Sequence, residues 1–187
     1  MRVIGIDPGS NITGYGILEE KEDSIRYVDS GIIEVPNNLS FPKKLRYIYS
    51  NISRLIMELS PDEVAIETIF LDKNVATVIK LGHIRGVLIL SATNAGLEIF
   101  EYSPLQIKIS VVGYGQATKD QVKVMVKRLL SLKKPLQNDE SDALAVAICH
   151  IHSNKLMKWA KSTVFNKKTY PNKKVNFKKK NFEKDKD

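Results

Sequence analysis

The chain has 187 residues, 43% of them hydrophobic, and a formal net charge of +8; this suits one domain with a real core and excludes a small scaffold stapled by disulfides. A single cysteine, Cys149, rules out an internal disulfide, and its apolar setting (ALAVAICHI) reads as a buried thiol in a reducing compartment, so a cytoplasmic location is expected. The charge is unevenly spread: Lys155 to Asp187 holds 12 lysines and three acids, whereas residues 1–154 carry 17 basic and 18 acidic groups.

In chain order, RVIGIDP, TGYGILEEK and IRYVDSGIIEV are rich in β-branched and aromatic residues and separated by short polar or glycine turns. They predict an antiparallel start of three strands. From Pro42 to Leu59 apolar residues recur at three and four, a helix that Ser60-Pro61 stops. EVAIETIF predicts a buried strand that reaches Glu67, residues 75–95 a helix, and LEIFEY another strand. Thr118 with Gln121 makes a capping box for a helix through Leu130, and Asp139 opens a last helix carrying Leu144, Ile148 and Ile151. The longest apolar run, VLIL, falls short of the roughly 20 residues of a bilayer span, and no basic region followed by a long apolar one marks the N-terminus, so no membrane anchor is expected.

Strands that form a meander and then alternate with helices imply an α/β fold: a mixed central sheet, antiparallel and then parallel, flanked by helices. Residues 1–160 form that domain, and 161–187 a basic tail, disordered from about Lys167, where apolar residues are sparse. Such a tail either contacts phosphate without sequence preference or merely keeps the chain soluble.

The chemistry rests on four acids. Asp7 ends the first strand, Glu67 the fourth, and Asp139 and Asp142 are three apart at a helix start and share a face. Converging carboxylates repel unless cations neutralise them, and hard oxygen donors suit Mg²⁺ or Mn²⁺. Two such ions about 4 Å apart activate a water and stabilise the leaving oxygen of a phosphodiester. Each acid alone also has a plainer reading: Asp-Pro-Gly is ordinary turn chemistry with glycine supplying positive φ, and Asp139 and Asp142 fit an N-cap and N3 pair. The three histidines lack zinc-ligand spacing, and Gly14 and Gly16 make only a GxG, short of a dinucleotide-binding loop.

IGIDPGSNITGYG, VAIETIF with NVATVIKLGHIRG, FEYSPLQIKISVVGYGQATKDQV and QNDESDALAVAICH resemble, in order and spacing, the motifs of the RuvC family of crossover (Holliday) junction endodeoxyribonucleases, over roughly residues 2–155. The resemblance implies a ribonuclease H-like fold, a homodimer, and paired symmetric Mg²⁺-dependent nicks at a four-way DNA junction, leaving 5′-phosphate and 3′-hydroxyl ends. It puts Asp7, Glu67, Asp139 and Asp142 on the family's catalytic, metal-binding carboxylates, with two Mg²⁺ per site and Mn²⁺ as a substitute. It puts Phe70 on an aromatic that stacks on a base near the crossover, and Lys108 and Lys119 on basic positions that meet the DNA backbone. A core phenylalanine and solvated lysines are the plainer readings of those three. The KLGHIRG helix falls near the family's dimer contact, so its apolar face is either partner interface or core. RuvA and RuvB, the branch-migration proteins, are the implied partners. Three alternatives stay open: a noncatalytic junction-binding protein, a generic ribonuclease H-like nuclease acting on RNA paired to DNA, and an actin-like ATPase or sugar kinase, whose opening phosphate loop IGIDPGS also resembles.

Overall fold

The computed structural model of the chain describes residues 1–22, 24–68 and 74–166. Five strands, β1 (Arg2–Asp7), β2 (Ile12–Lys21), β3 (Ser24–Glu34), β4 (Glu63–Glu67) and β5 (Glu98–Tyr102), form one sheet in the order β3-β2-β1-β4-β5. The β1–β2 and β2–β3 pairs are antiparallel, and β4 runs parallel to both β1 and β5. The meander matches the sequence pattern, and strands one and four are neighbours.

Helices α1 (Phe41–Leu59) and α2 (Val75–Asn94) cover one face of the sheet, and α5 (Asn138–Asn166) the other, with α3 (Pro104–Val112) and α4 (Lys119–Leu129) packed outside it. Strand alternation divides the core. Ile4, Ile6, Val64 and Ile66 point to α1 and α2, where Ile48, Ile52, Ile84 and Leu88 meet them; Val3, Leu18 and Ala65 point to Leu144, Ala147 and Ile148 of α5. α2 is long and apolar enough, by length and composition alone, to cross a membrane. In the fold its Ile84, Leu88 and Ala92 are buried against the sheet and Arg85 pairs with Glu101 of β5, while most of the helix is not buried, only 22% of its apolar window being so.

α5 lies unusually close to β1 and β2 because the strands present glycines beneath it. A Cβ on Gly5 would sit 2.2 Å from the Ala143 carbonyl oxygen, and one on Gly14 would sit 2.0 Å from that of Asp139. That approach brings the first turn of α5 over the carboxyl end of β1.

α3 is an element that the sequence pattern does not announce. Its nine residues are too short for a clear helical period, yet its ends are marked. Ser103 and Gln106 form a capping box, Pro104 begins the helix, and Gly113 closes it at φ 93°. At the other end of the chain, α5 continues to Asn166; residues 167–187, the core of the expected tail, lie outside the described residues.

Candidate active site

Two parallel neighbours end on acids. Ile6 pairs with Ile66, so Asp7 and Glu67 follow adjacent residues at the same sheet edge. The backbone between β1 and β2 is held by Thr13, fully buried, whose hydroxyl donates to the Gly9 carbonyl at 2.9 Å. Gly9 is required there for space and not for the positive φ expected of a turn glycine: its φ is not positive, but a Cβ would fall 1.8 Å from the Ile12 carbonyl oxygen.

The first turn of α5 completes the set. The cap of this helix corrects the reading of Asp139 and Asp142 as N-cap and N3. Gln137 is the cap, its carbonyl accepting from the Ser141 N–H at 3.0 Å, and Glu140 reaches back to the Gln137 N–H at 3.1 Å. Capping thus falls to Glu140 and leaves both aspartates free of it. Glu140, 6% exposed, also accepts from Ser30 of β3 at 2.6 Å and from Lys134 at 2.8 Å. Burial alone would raise its pKa, but these donors hold it below the usual glutamate value. The sequence signal for this anchor is Gln137 followed three residues later by Glu140, a capping pattern overshadowed by the two aspartates.

The electrostatics are those of four mutually repelling acids. Burial, then the charges of Glu67, Asp142 and Asp139, push Asp7 up to about 8, against some relief from Lys119. Burial and Asp142 likewise raise Glu67, with Lys119 and Lys108 opposing. Lys119 donates to Asp142 Oδ2 at 2.8 Å, which raises the lysine in turn. A cavity of about 280 Å³ opens here, with Glu67, Lys108, Lys119 and Asp142 on its polar side and Ile107 and Val122 on its apolar side. Among the described residues no three His, Cys, Asp or Glu side chains stand close enough together to hold an ion as they are placed. The donor set nevertheless fits one. It is all hard oxygen, burial and the neighbouring acids raise Asp7, and an ammonium stands against Asp142.

A family model described as "Crossover junction endodeoxyribonuclease RuvC" matches residues 3–150. This chain belongs to the RuvC family. It is 49% identical over 164 residues to the RuvC of Pelobacter propionicus, covering 88% of this chain and 93% of that one, and 51% identical over 150 residues to that of Legionella pneumophila, covering 80% and 86%. The RuvC of Thermus thermophilus, solved in complex with Holliday junction substrate, superposes with a TM-score of 0.79 at 28% identity, over 83% of this chain and 96% of that one. The yeast mitochondrial Holliday junction resolvase Ydc2 shares the fold, with a TM-score of 0.69 at 12% identity. The mixed sheet with flanking helices is thus the ribonuclease H-like architecture of RuvC and related resolvases.

Of the site residues expected for a RuvC protein, the fold brings Asp7, Glu67, Asp139 and Asp142 into one electrostatic cluster and sets Lys108 and Lys119 beside it. Phe70 lies outside the described residues. The histidines of α5 are engaged elsewhere: His150, fully buried, bonds Tyr102 at 2.8 Å and Glu63 at 2.5 Å, and His152 bonds Ser110. These contacts tie α5 to β4, β5 and α3.

Proposed function

We propose that this chain resolves four-way DNA junctions by paired symmetric nicks in homologous recombination and repair, with Asp7, Glu67, Asp139 and Asp142 as the seat of two Mg²⁺ ions. Its membership of a family of crossover junction endodeoxyribonucleases supports the substrate. The observation that carries the site is the clustering of four carboxylates from β1, β4 and α5, one of them pushed up to about 8. Bound divalent ions supply charge neutralisation and activation of water.

The chain's own residues do the rest. Asp7 and Glu67, at the mouths of buried strands, would hold the ions from a rigid sheet edge, and Asp139 and Asp142 would hold them from the first turn of α5. Lys108 and Lys119 line the adjoining cavity and favour a phosphate there. No side-chain nucleophile is required, and the ends left are 5′-phosphate and 3′-hydroxyl. Phe70 is proposed to stack on a base at the crossover.

A homodimer through α2 is part of the same reading. Ile79 and Leu90 are 54% and 53% exposed and, with Leu45, Gly82, Gly86 and Val87, line an apolar hollow of about 570 Å³. Among the described residues nothing lies within 4 Å of a Cβ placed on Gly82 or Gly86, so a second helix has room to approach closely. Family membership supports RuvA and RuvB as further partners.

The test offers a four-way junction, a linear duplex and an RNA–DNA hybrid side by side, with and without Mg²⁺. Symmetric nicks in the junction alone, only with the ion, are expected. Cleavage of the hybrid in preference would make this a general ribonuclease H-like nuclease, and binding without cleavage a noncatalytic junction protein.

A further inference from the structure

A second basic surface lies on the outer side of α1. Lys43, Arg46 and Arg54, all exposed, line a groove of about 430 Å³ with Tyr47, Ser50 and Asn51 between them and no acid among the lining residues. Arg54 is held toward Asn51 at 3.1 Å and only loosely toward Glu58 at 3.9 Å. The placement runs against helix electrostatics. α4 puts an acid in its first turn and cations in its last, whereas α1 has no acid in its first turn and no cation in its last and carries Lys43, Lys44 and Arg46 near its positive end. A local rule broken without a folding gain points to function.

The same helix reaches the loop that follows the active-site strand. Lys44 donates to Asn11 Oδ1 at 3.1 Å, four residues beyond Asp7 in the loop that leaves β1, and the Asn11 carbonyl accepts from Val35 at 2.8 Å. From Lys43 to Arg54 the helix rises about 17 Å, a length over which duplex DNA presents about ten phosphate charges. Lysine, arginine, serine, asparagine and tyrosine are the side chains that grip phosphate and sugar without reading sequence. We infer that this face of α1 holds the phosphate backbone of one arm of the junction. The inference rests on the junction-nuclease reading and extends its footprint beyond the carboxylate cavity.

The test compares full-length protein with the double variant Lys43→Glu, Arg46→Glu and with a control of equal charge change, Lys21→Glu, Arg26→Glu, whose exposed side chains sit at the far end of the β2–β3 hairpin. Junction affinity is measured by fluorescence anisotropy, without divalent ions, across a salt series. The α1 variant should bind at least tenfold more weakly, and its log–log salt slope should fall by about two, one for each phosphate left without its cation; the control should keep the wild-type slope. Lys43→Gln, Arg46→Gln guards against a folding artefact and should give the same fall in slope. An unchanged slope in both α1 variants, or equal losses in variant and control, overturns the inference. If the wild-type protein binds and nicks the junction while the α1 variants match it, this inference alone fails; if the wild type does neither, the junction-nuclease reading falls with it.

Discussion

The ammonium of Lys119, first residue of α4, donates to the carboxylate of Asp142 on α5 at 2.8 Å, joining two helices across the acid cluster. The lysine side chain is 78% exposed and the aspartate 19%, so the pair adds little to stability, about 0–1 kcal/mol. Its importance is electrostatic, because Lys119 also lowers Asp7 and Glu67. Lys119→Met should leave Tm nearly unchanged, lower the salt slope of junction binding by about one, and shift the acid limb of the pH–rate profile to higher pH. A limb that stays in place would show that the cluster does not feel this ammonium.

Asp7 makes the stability of the metal-free protein depend on pH. Its pKa rises from 3.8 to about 8, first through burial and then through Glu67, Asp142 and Asp139. Between those values the folded state holds a proton that the unfolded chain has released, so stability falls as pH rises across the window. Asp7→Asn removes that dependence. The variant should be the more stable protein near pH 8, by about 1–3 kcal/mol, should match wild type below about pH 4, and should gain less from Mg²⁺ in a thermal melt. It should also lose nicking while keeping junction binding. Lower stability than wild type at pH 8 would contradict the assignment of Asp7 to a buried, repelling cluster.

Glu140 works in the opposite direction. Despite burial, donors from Lys134, Ser30 and the Gln137 N–H hold its pKa below 4.5, so its contribution is full above 4.5 and is lost as pH falls through the folded value. Glu140→Gln should cost about 1.5–3 kcal/mol at neutral pH, the range for hydrogen bonds to a charged group, with the gap closing in acid. Because Glu140 anchors the turn that carries Asp139 and Asp142, the variant should also need more Mg²⁺ for half-maximal rate. A stability loss with an unchanged Mg²⁺ requirement would make the anchor structural only.

These residues also mark what is legible in the sequence. Asp7 and Glu67 announce themselves because each ends a short continuous apolar run, the pattern of a strand buried on both faces, and an acid at the end of such a run stands out. Thr118 with Gln121 reads directly as a helix start, and the capping box is present. The cap of α5 is hard to assign because three acids compete within Asp139–Asp142 and spacing alone does not say which one turns back to the backbone. Gly5 and Gly14 are harder still. Their role is to admit a helix that lies more than a hundred residues later in the chain, a nonlocal contact with no local pattern to reveal it. The short α3 falls below the length at which periodicity speaks, although its capping residues are in plain view.

The apolar surface of α2 divides into a buried stripe and an exposed patch, the patch proposed above as the dimer contact. Ile84, Leu88 and Ala92 are buried against the sheet, whereas Ile79 and Leu90 remain more than half exposed beside the open glycines Gly82 and Gly86. Leaving such a patch in water is unfavourable at about 25 cal/mol per Å² of apolar surface, which a second copy of the chain would recover. Leu90→Glu places a charge in that seam without touching the buried stripe. It should yield a monomer by light scattering, with Tm changed by only a few degrees at matched concentration. Junction nicks by the monomer should become single and unpaired, because the two strands are then cut by independent encounters. A Leu90→Glu protein that remains dimeric and still cuts in pairs would move the interface off this face of α2.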